Sequence, residues 1–314
     1  MATDTEPVLS VSNTSKTFHG NVVALDNVSF AVAAGERVAL LGRNGAGKST
    51  LIKSISSLIR VDGGEIRVAG QDVSRSRDFL RGVGVTLEGA RNIYWRMTPY
   101  ENVRYFARLR GADTSRARIV ELLELFEIPR ALTSEVGKLS TGNKQKVAIV
   151  CALVHEPALL LLDEPTMGLD VEAVANIRRI LQDASRHAGR AFLITSHDLS
   201  FVEDVCDRVL VLDKGRLLYD GRLSVLRASA TGYTVKIVLN DPVEVAARWA
   251  DKSQAEMVRS DGKVVISFQA RGPLEIFTAF EQLAGVPKAV LDLDVSKTSL
   301  ESAYLTLAHA QEPS

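Results

Sequence analysis

Cysteine is almost absent from this chain. Two thiols in 314 residues cannot build a disulfide framework. Cys151 lies in an apolar run between Val150 and Ala152, and Cys206 ends the stretch Phe201 to Val205. They read as small core residues, a usage that fits a reducing cytosol. Excess charge is missing too. The 38 basic residues balance 38 acidic ones, so no global field draws the chain to nucleic acid or to anionic lipid. No long hydrophobic run occurs. The longest, Val147 to Val154, stops at His155-Glu156-Pro157, far short of the ~20 residues a spanning helix needs. If the protein works at a membrane, something else must cross it. Met1 to Pro7 is polar and acidic and reads as no signal peptide. What remains is a globular chain of ordinary apolar content, 46%, long enough for two domains.

One stretch carries chemistry. Gly42-Arg43-Asn44-Gly45-Ala46-Gly47-Lys48-Ser49-Thr50 follows a buried-strand pattern, Glu36 to Leu41, and precedes a helix pattern that begins at Leu51. Strand, glycine-rich turn and helix are the setting of a P-loop. Its glycines accept backbone angles that a Cβ forbids. Successive N–H groups then turn inward on an anion, with the positive end of the helix dipole behind them. Lys48 can reach the outer phosphates of a nucleotide, and the Ser49 hydroxyl can ligate Mg²⁺.

Around that stretch the chain reads as follows. Val8–Ser12, Val22–Leu25 and Val28–Val32 are expected strands, with Lys16 to Gly20 as a turn between the first two. An early meander followed by a P-loop argues for an antiparallel sheet laid against an α/β core. Residues 89–141 change character and read as a helical insertion. Thr98-Pro99-Tyr100-Glu101 is a capping box with Pro at the first helical position. Ile119, Leu122, Leu123 and Phe126 repeat at helical spacing before Pro129. Leu159 to Leu162 fits a parallel strand buried on both faces and ends at Asp163-Glu164. Val171 to Arg186 is an expected helix. Ala191–Thr195 is a further buried strand, ending at Ser196-His197-Asp198. Val209–Leu212 and Arg216–Tyr219 form a hairpin about Lys214-Gly215.

Past Gly221 the pattern restarts as strand, helix, two strands, helix, strand and a last helix over Leu300 to Leu307. The order βαββαβ resembles a ferredoxin-like unit. The expected domains are therefore 1–220, a P-loop α/β core with an antiparallel β-subdomain and the helical insertion, and 221–314, a small α+β domain. No motif with chemistry appears in the second.

Asp163 and Glu164 stand where α/β proteins place ligand groups, at the end of a buried strand. Asp163 can hold Mg²⁺, and Glu164 can polarise an attacking water as general base. Alone, two acids there would be an ordinary surface feature; the P-loop upstream changes their meaning. Leu139-Ser140-Thr141-Gly142-Asn143-Lys144-Gln145 precedes a helix. It reads either as an anion-binding helix start or as an ordinary N-cap.

P-loop, Leu-Ser-x-Gly-x-x-Gln, four leucines before Asp-Glu-Pro, Gly168-Leu169-Asp170 and strand-terminal His197 occur in that order. Together they closely resemble the ATP-binding subunit of ABC transporters, over about Val8 to Tyr219. The resemblance implies ATP and Mg²⁺ as cofactors and a head-to-tail dimer. Each ATP then lies between one P-loop and the partner copy's signature, with Ser140, Gly142 and Gln145 as signature residues. It implies that Asp170 lines the dimer interface and that His197 contacts the γ-phosphate. Phe18 would stack on adenine where most relatives carry Tyr, though a core role for that ring is an alternative. Glu88 stands where relatives usually have Gln, beside the metal. Arg91 to Met97, rich in Arg and aromatics, would face a membrane permease or else pack as a loop. The C-terminal Thr298 to Tyr304 is similar to the tail of drug- and antibiotic-export ATPases of the daunorubicin-resistance kind.

The expectation is an ATPase on the cytoplasmic face of the membrane that powers a separate export permease and binds no nucleic acid. An importer ATPase is the nearer alternative. Soluble ribosome-acting relatives carry two fused halves, and DNA-repair relatives a long coiled coil. This chain has a single P-loop and no sustained heptads.

Overall fold

The computed structural model describes residues 6–87, 92–128, 133–229, 232–240, 255–260, 263–270, 272–283 and 290–297. The chain divides into two compact units, residues 1–223 and 224–314.

The first unit opens with β1 (Leu9–Phe18), β2 (Val22–Val32) and β3 (Arg37–Leu41), then α1 (Lys48–Ile55), β4 (Gly63–Val68), β5 (Gln71–Asp72) and β6 (Val83–Thr86). The helical segment holds α2 (Pro99–Arg110) and α3 (Arg116–Leu125) and leads to α4 (Thr141–Leu153). Then come β7 (Leu159–Asp163), α5 (Val171–Ala188), β8 (Ala191–Thr195), α6 (Leu199–Val205), β9 (Arg208–Asp213) and β10 (Arg216–Arg222). Among the described residues these strands make an antiparallel sheet, order β2-β1-β4-β5, and a mixed sheet, order β10-β9-β3-β8-β7-β6. In the second sheet β9, β3, β8, β7 and β6 run parallel, and β10 returns antiparallel on β9.

The two sheets share one core. Leu9, Val11, Leu25, Val28 and Phe30 of the antiparallel sheet cluster with Leu40, Leu161, Leu193 and Leu210 of the parallel one. Leu51, Ile52 and Ile55 of α1 complete that cluster. Each such side chain, fully buried, contributes about 1.5–3 kcal/mol relative to an exposed position. Burying α1 this way fixes its N-terminus, and so the loop before it, at the carboxyl end of β3. All five residues of β7 are buried, as a strand covered on both faces requires.

Three expectations change. Val22–Leu25 and Val28–Val32 are one strand, not two: β2 runs on through Asn27, whose φ is +54°. The pairing of β1 with β2 slips in register between Val11 and Thr17, and such bulges absorb the extra residues without ending the strand. Lys16 to Phe18 belongs to β1, and the turn is shorter, with Gly20 and Asn21 at positive φ. The helix after the P-loop starts at Lys48 rather than Leu51, because its first turn is itself the end of the phosphate loop.

The expected capping box is present. Thr98 Oγ1 accepts from Glu101 N–H, and Glu101 Oε2 accepts from Thr98 N–H, with Pro99 leading α2. Ile119, Leu122, Leu123 and Phe126 are all buried.

The second unit begins within α7 (Leu223–Ser229) and holds β11 (Tyr233–Asn240), β12 (Glu256–Ser260), β13 (Lys263–Ala270), α8 (Pro273–Leu283) and β14 (Val290–Lys297). Its sheet order is β12-β13-β11-β14, antiparallel throughout. Val235, Ile237, Val264 and Ile266 form its core with Ala279 of α8. The helices expected over Val243–Ala250 and Leu300–Leu307 fall outside the described residues.

Candidate active site

The loop between β3 and α1 is shaped by what its glycines allow. Gly45 and Gly47 have φ of +82° and +107°, a region that side chains disfavour. A Cβ on Gly47 would stand 2.3 Å from the Ala24 carbonyl oxygen, and one on Gly42 would stand 2.4 Å from that of Leu212. The β9–β10 turn props the loop from below, where Gly215 N–H donates to the Ala46 carbonyl at 3.0 Å. Gly47 caps α1 with no side-chain hydrogen bond, and no acid stands in the first turn. The helix N–H groups and dipole are thus left for an anion. Lys48 curls back over the loop, donating to the Gly42 and Arg43 carbonyls at 2.5 and 3.2 Å. Burial lowers its pKa, and the charges of Glu164 and Asp163 oppose that shift. Asn44 and Ser49 are exposed on the loop, Ala46 is buried beneath it, and Thr50 is half-buried.

Facing the loop, β7 and β8 end side by side, with Asp163 in register with Thr195. Thr195 serves both acids. Its Oγ1 donates to Asp163 Oδ1 at 2.7 Å and accepts from the Glu164 N–H at 2.9 Å. Glu164 turns at φ +49°, an uncommon angle for a side-chain-bearing residue and one that recurs at functional sites. Its Oε2 accepts from His197 N–H at 3.1 Å. Its Oε1 is buried with no hydrogen bond, 3.3 Å from His197 Nε2. Burial pushes the Glu164 carboxyl above the ordinary glutamate range, against the pull of His197 and Lys48. Thr195 is the residue that reading the sequence misses. Its signal is a hydroxyl at a buried strand end just before Ser196-His197.

Residues 43–50, Asp163, Glu164 and His197 line one open cleft of about 440 Å³, with Val22 and Val23 at its rim. Phe18 pairs with Val22 across the β1–β2 hairpin. Its ring is 40% exposed rather than in the core, and Lys16 Nζ lies 5.6 Å from its centroid. The cleft suits a nucleotide triphosphate: a phosphate cradle, a buried ammonium and a basic carboxylate converge on one space. Ser49 and Asp163 offer oxygen donors, the set Mg²⁺ prefers. Glu88 lies outside the described residues.

The signature lies elsewhere. Ser140 caps α4, accepting from Asn143 N–H at 3.3 Å. Asp170 caps α5, accepting from Ala173 N–H at 2.8 Å. The two helix starts touch, since a Cβ on Gly142 would meet Ala173 Cβ at 3.0 Å. Neither Ser140, Gly142 nor Asp170 lines the cleft. Gln145 differs from Ser140 in its burial. It is 4% exposed in this single protomer, its place on α4 turned toward the core.

Residues 25–167 match the family model described as ABC transporter. The ABC transporter ATP-binding protein NatA of Bacillus subtilis is 38% identical over 211 residues, 66% of this chain and 85% of that protein. This chain belongs to the ABC transporter family, as an ATP-binding subunit. The Nod factor export ATP-binding protein I of Mesorhizobium japonicum is 34% identical over 293 residues, 92% of this chain and 83% of that one. The methionine import ATP-binding protein MetN of the same species is 34% identical over 268 residues, 81% of this chain and 72% of that one. A dimeric ATP-binding cassette solved in a post-hydrolysis state with ADP and phosphate superposes with a TM-score of 0.64 at 25% identity. That likeness covers 68% of this chain and 98% of that one. This ABC subunit binds ATP and is an ATPase. Among the described residues no helix is long and apolar enough to cross a membrane.

Proposed function

We propose that this subunit powers an exporter, hydrolysing ATP between two copies of itself on the cytoplasmic face of a membrane permease. The observation that carries the hydrolytic reading is the pairing of a buried, partner-poor Glu164 oxygen with the Lys48 cradle across one cleft. Mg²⁺ held by Ser49 and Asp163 would offset charge on the phosphates. Lys48 holds the outer phosphates. Thr195 fixes the Asp163 carboxylate and the Glu164 backbone, so both acids meet the nucleotide without rearrangement. Glu164, with its raised affinity for a proton, takes one from the attacking water. His197 steadies Glu164 and reaches for the γ-phosphate.

At the signature Ser140 is exposed and Gly142 half-buried, and both lie off their own cleft, which supports a head-to-tail arrangement in which they cover the nucleotide of a second copy. Phe18, paired with the rim residue Val22 and open to solvent, would stack on adenine. The exposed Tyr94 and Trp95 beside Arg96 offer the permease an aromatic and cationic surface. Export is favoured because the likeness to the Nod factor export subunit covers 92% of this chain, against 81% for the importer MetN; the drug and antibiotic kind rests on the resemblance of Thr298 to Tyr304 alone. The importer MetN is the alternative.

Size-exclusion chromatography of Glu164→Gln with ATP and Mg²⁺ tests the dimer; a monomer with ATP demonstrably bound overturns it. Direction is tested in inside-out vesicles carrying the permease, where ATP should drive cargo inward if the system exports. Outward movement would make it an importer.

A further inference from the structure

The loop from Tyr94 to Met97 is fastened on two sides. On one, the fully buried Asn102 amide holds Tyr94 in both directions. Tyr94 N–H donates to Asn102 Oδ1 at 2.8 Å, and Asn102 Nδ2 donates to the Tyr94 carbonyl at 2.9 Å. On the other, Gly137 N–H donates to the Trp95 carbonyl at 2.8 Å and Val136 N–H to the Met97 carbonyl at 2.9 Å. Gly137 permits that approach, since a Cβ there would stand 3.2 Å from the Trp95 carbonyl oxygen. Ser140 follows three residues later.

The Trp95 side chain reaches the signature helix directly. Lys144 Nζ lies 5.1 Å from the Trp95 ring centroid, and Lys144 N–H donates to the Ser140 carbonyl at 3.0 Å. Trp95 is 53% exposed, so burial alone does not hold its ring there. A cation over an exposed indole biases an equilibrium by about two- to fivefold. Trp95 therefore grips the signature turn from both ends, by its carbonyl before Ser140 and by its ring after it.

We propose that Trp95 is a positioning residue for the signature turn, setting through Gly137 and Lys144 the pose in which Ser140 and Gly142 meet the nucleotide of a second copy. The proposal rests on the sandwich dimer argued above. It also makes the turn sensitive to whatever presses on the exposed face of Trp95.

Two measurements on the full-length chain decide it. The first is amide hydrogen exchange at Asn143 and Lys144 in the nucleotide-free protomer, which is independent of dimer formation. Exchange should run about two- to fivefold faster in Trp95→Ala and in Lys144→Met, which keeps the aliphatic stem and loses the charge. Lys144→Arg, which keeps a cation on the ring, should restore the native rate, and the double variant should be no faster than the worse single one. Unchanged rates, or additive effects in the double variant, overturn the proposal. The second measurement is ATP-driven dimerisation in the Glu164→Gln background. Trp95→Ala and Lys144→Met should weaken it by a similar factor, with ATP affinity of the protomer unaltered. Dimerisation lost in Lys144→Met but intact in Trp95→Ala would make Lys144 a direct ligand of the partner's nucleotide, and would also overturn it. A Glu164→Gln parent that fails to dimerise with ATP bound removes the sandwich reading instead, and the exchange rates still decide whether Trp95 places the turn.

Discussion

Glu164 is held in a setting that resists its charge. Its raised pKa comes first from burial, with the Asp163 charge adding a smaller push in the same direction. A carboxyl raised in the folded state contributes stability below its unfolded pKa and loses that contribution as pH rises through the folded value. Glu164→Gln should therefore melt at a higher temperature than the native protein at pH 7. The gap should close as pH falls toward about 4.3, the ordinary glutamate value. Thermal unfolding across that range measures it, and a gap that widens in acid would contradict the assigned cause. Turnover should respond oppositely: the same substitution should slow hydrolysis by about 10²–10⁴-fold. In the native enzyme, the acid limb of kcat/KM should lie above the usual glutamate range. Lys48→Ala removes the fixed cation from the cradle and should reduce both ATP affinity and turnover, the latter by about 10²-fold or more. Equilibrium nucleotide binding separates the two effects.

At the scale of elements, the site depends on how helices start. α1 begins at Gly47 with its N–H groups uncapped, and Gly47→Ala would drive a Cβ into the Ala24 carbonyl of the neighbouring strand β2. That variant should lose ATP binding, because either the loop or the strand must move. Retained binding at native affinity would show that the loop has more slack than its geometry implies. α2 begins with a complete capping box at Thr98. Thr98→Ala should cost about 1 kcal/mol of stability, while Thr98→Ser should keep most of it. Denaturant unfolding of the pair distinguishes a lost hydroxyl from a lost methyl. α4 and α5 begin at Ser140 and Asp170 and touch at Gly142 and Ala173. The signature and the loop after β7 are thus one joined feature rather than two separate ones.

For the whole molecule, the division at residues 223 and 224 separates every residue of the cleft from the second unit. The second unit has its own sheet and core. A chain ending near Ala230 should still bind ATP with the affinity of the full-length protein, by calorimetry. Loss of binding in a truncated chain shown by circular dichroism to be folded would tie the second unit to nucleotide chemistry. The exposed Leu274 and Phe277 on α8 belong to that second unit, and nothing in the nucleotide cleft calls for them.

The P-loop, the Asp163-Glu164 strand end and the capping box were legible in the sequence. Each is a short-range signal. Glycines needed at positive φ, a Thr-Pro-x-Glu start and an unbroken run of leucines act within a few residues of one another. Thr195 was not legible as the partner of Asp163, nor Trp95 as the neighbour of Lys144. Those pairs lie far apart along the chain and meet only because β8 lies beside β7 and residues 94–97 lie against the start of α4. The continuity of β2 through Asn27 escaped for the same reason: a bulge is set by the partner strand's register, which no local pattern records. Gln145 turned inward because the packing of α4, rather than its place in a motif, chose its face. Local sequence determined which backbone shapes were available, and the packing of sheets and helices decided which side chains came within reach of one another.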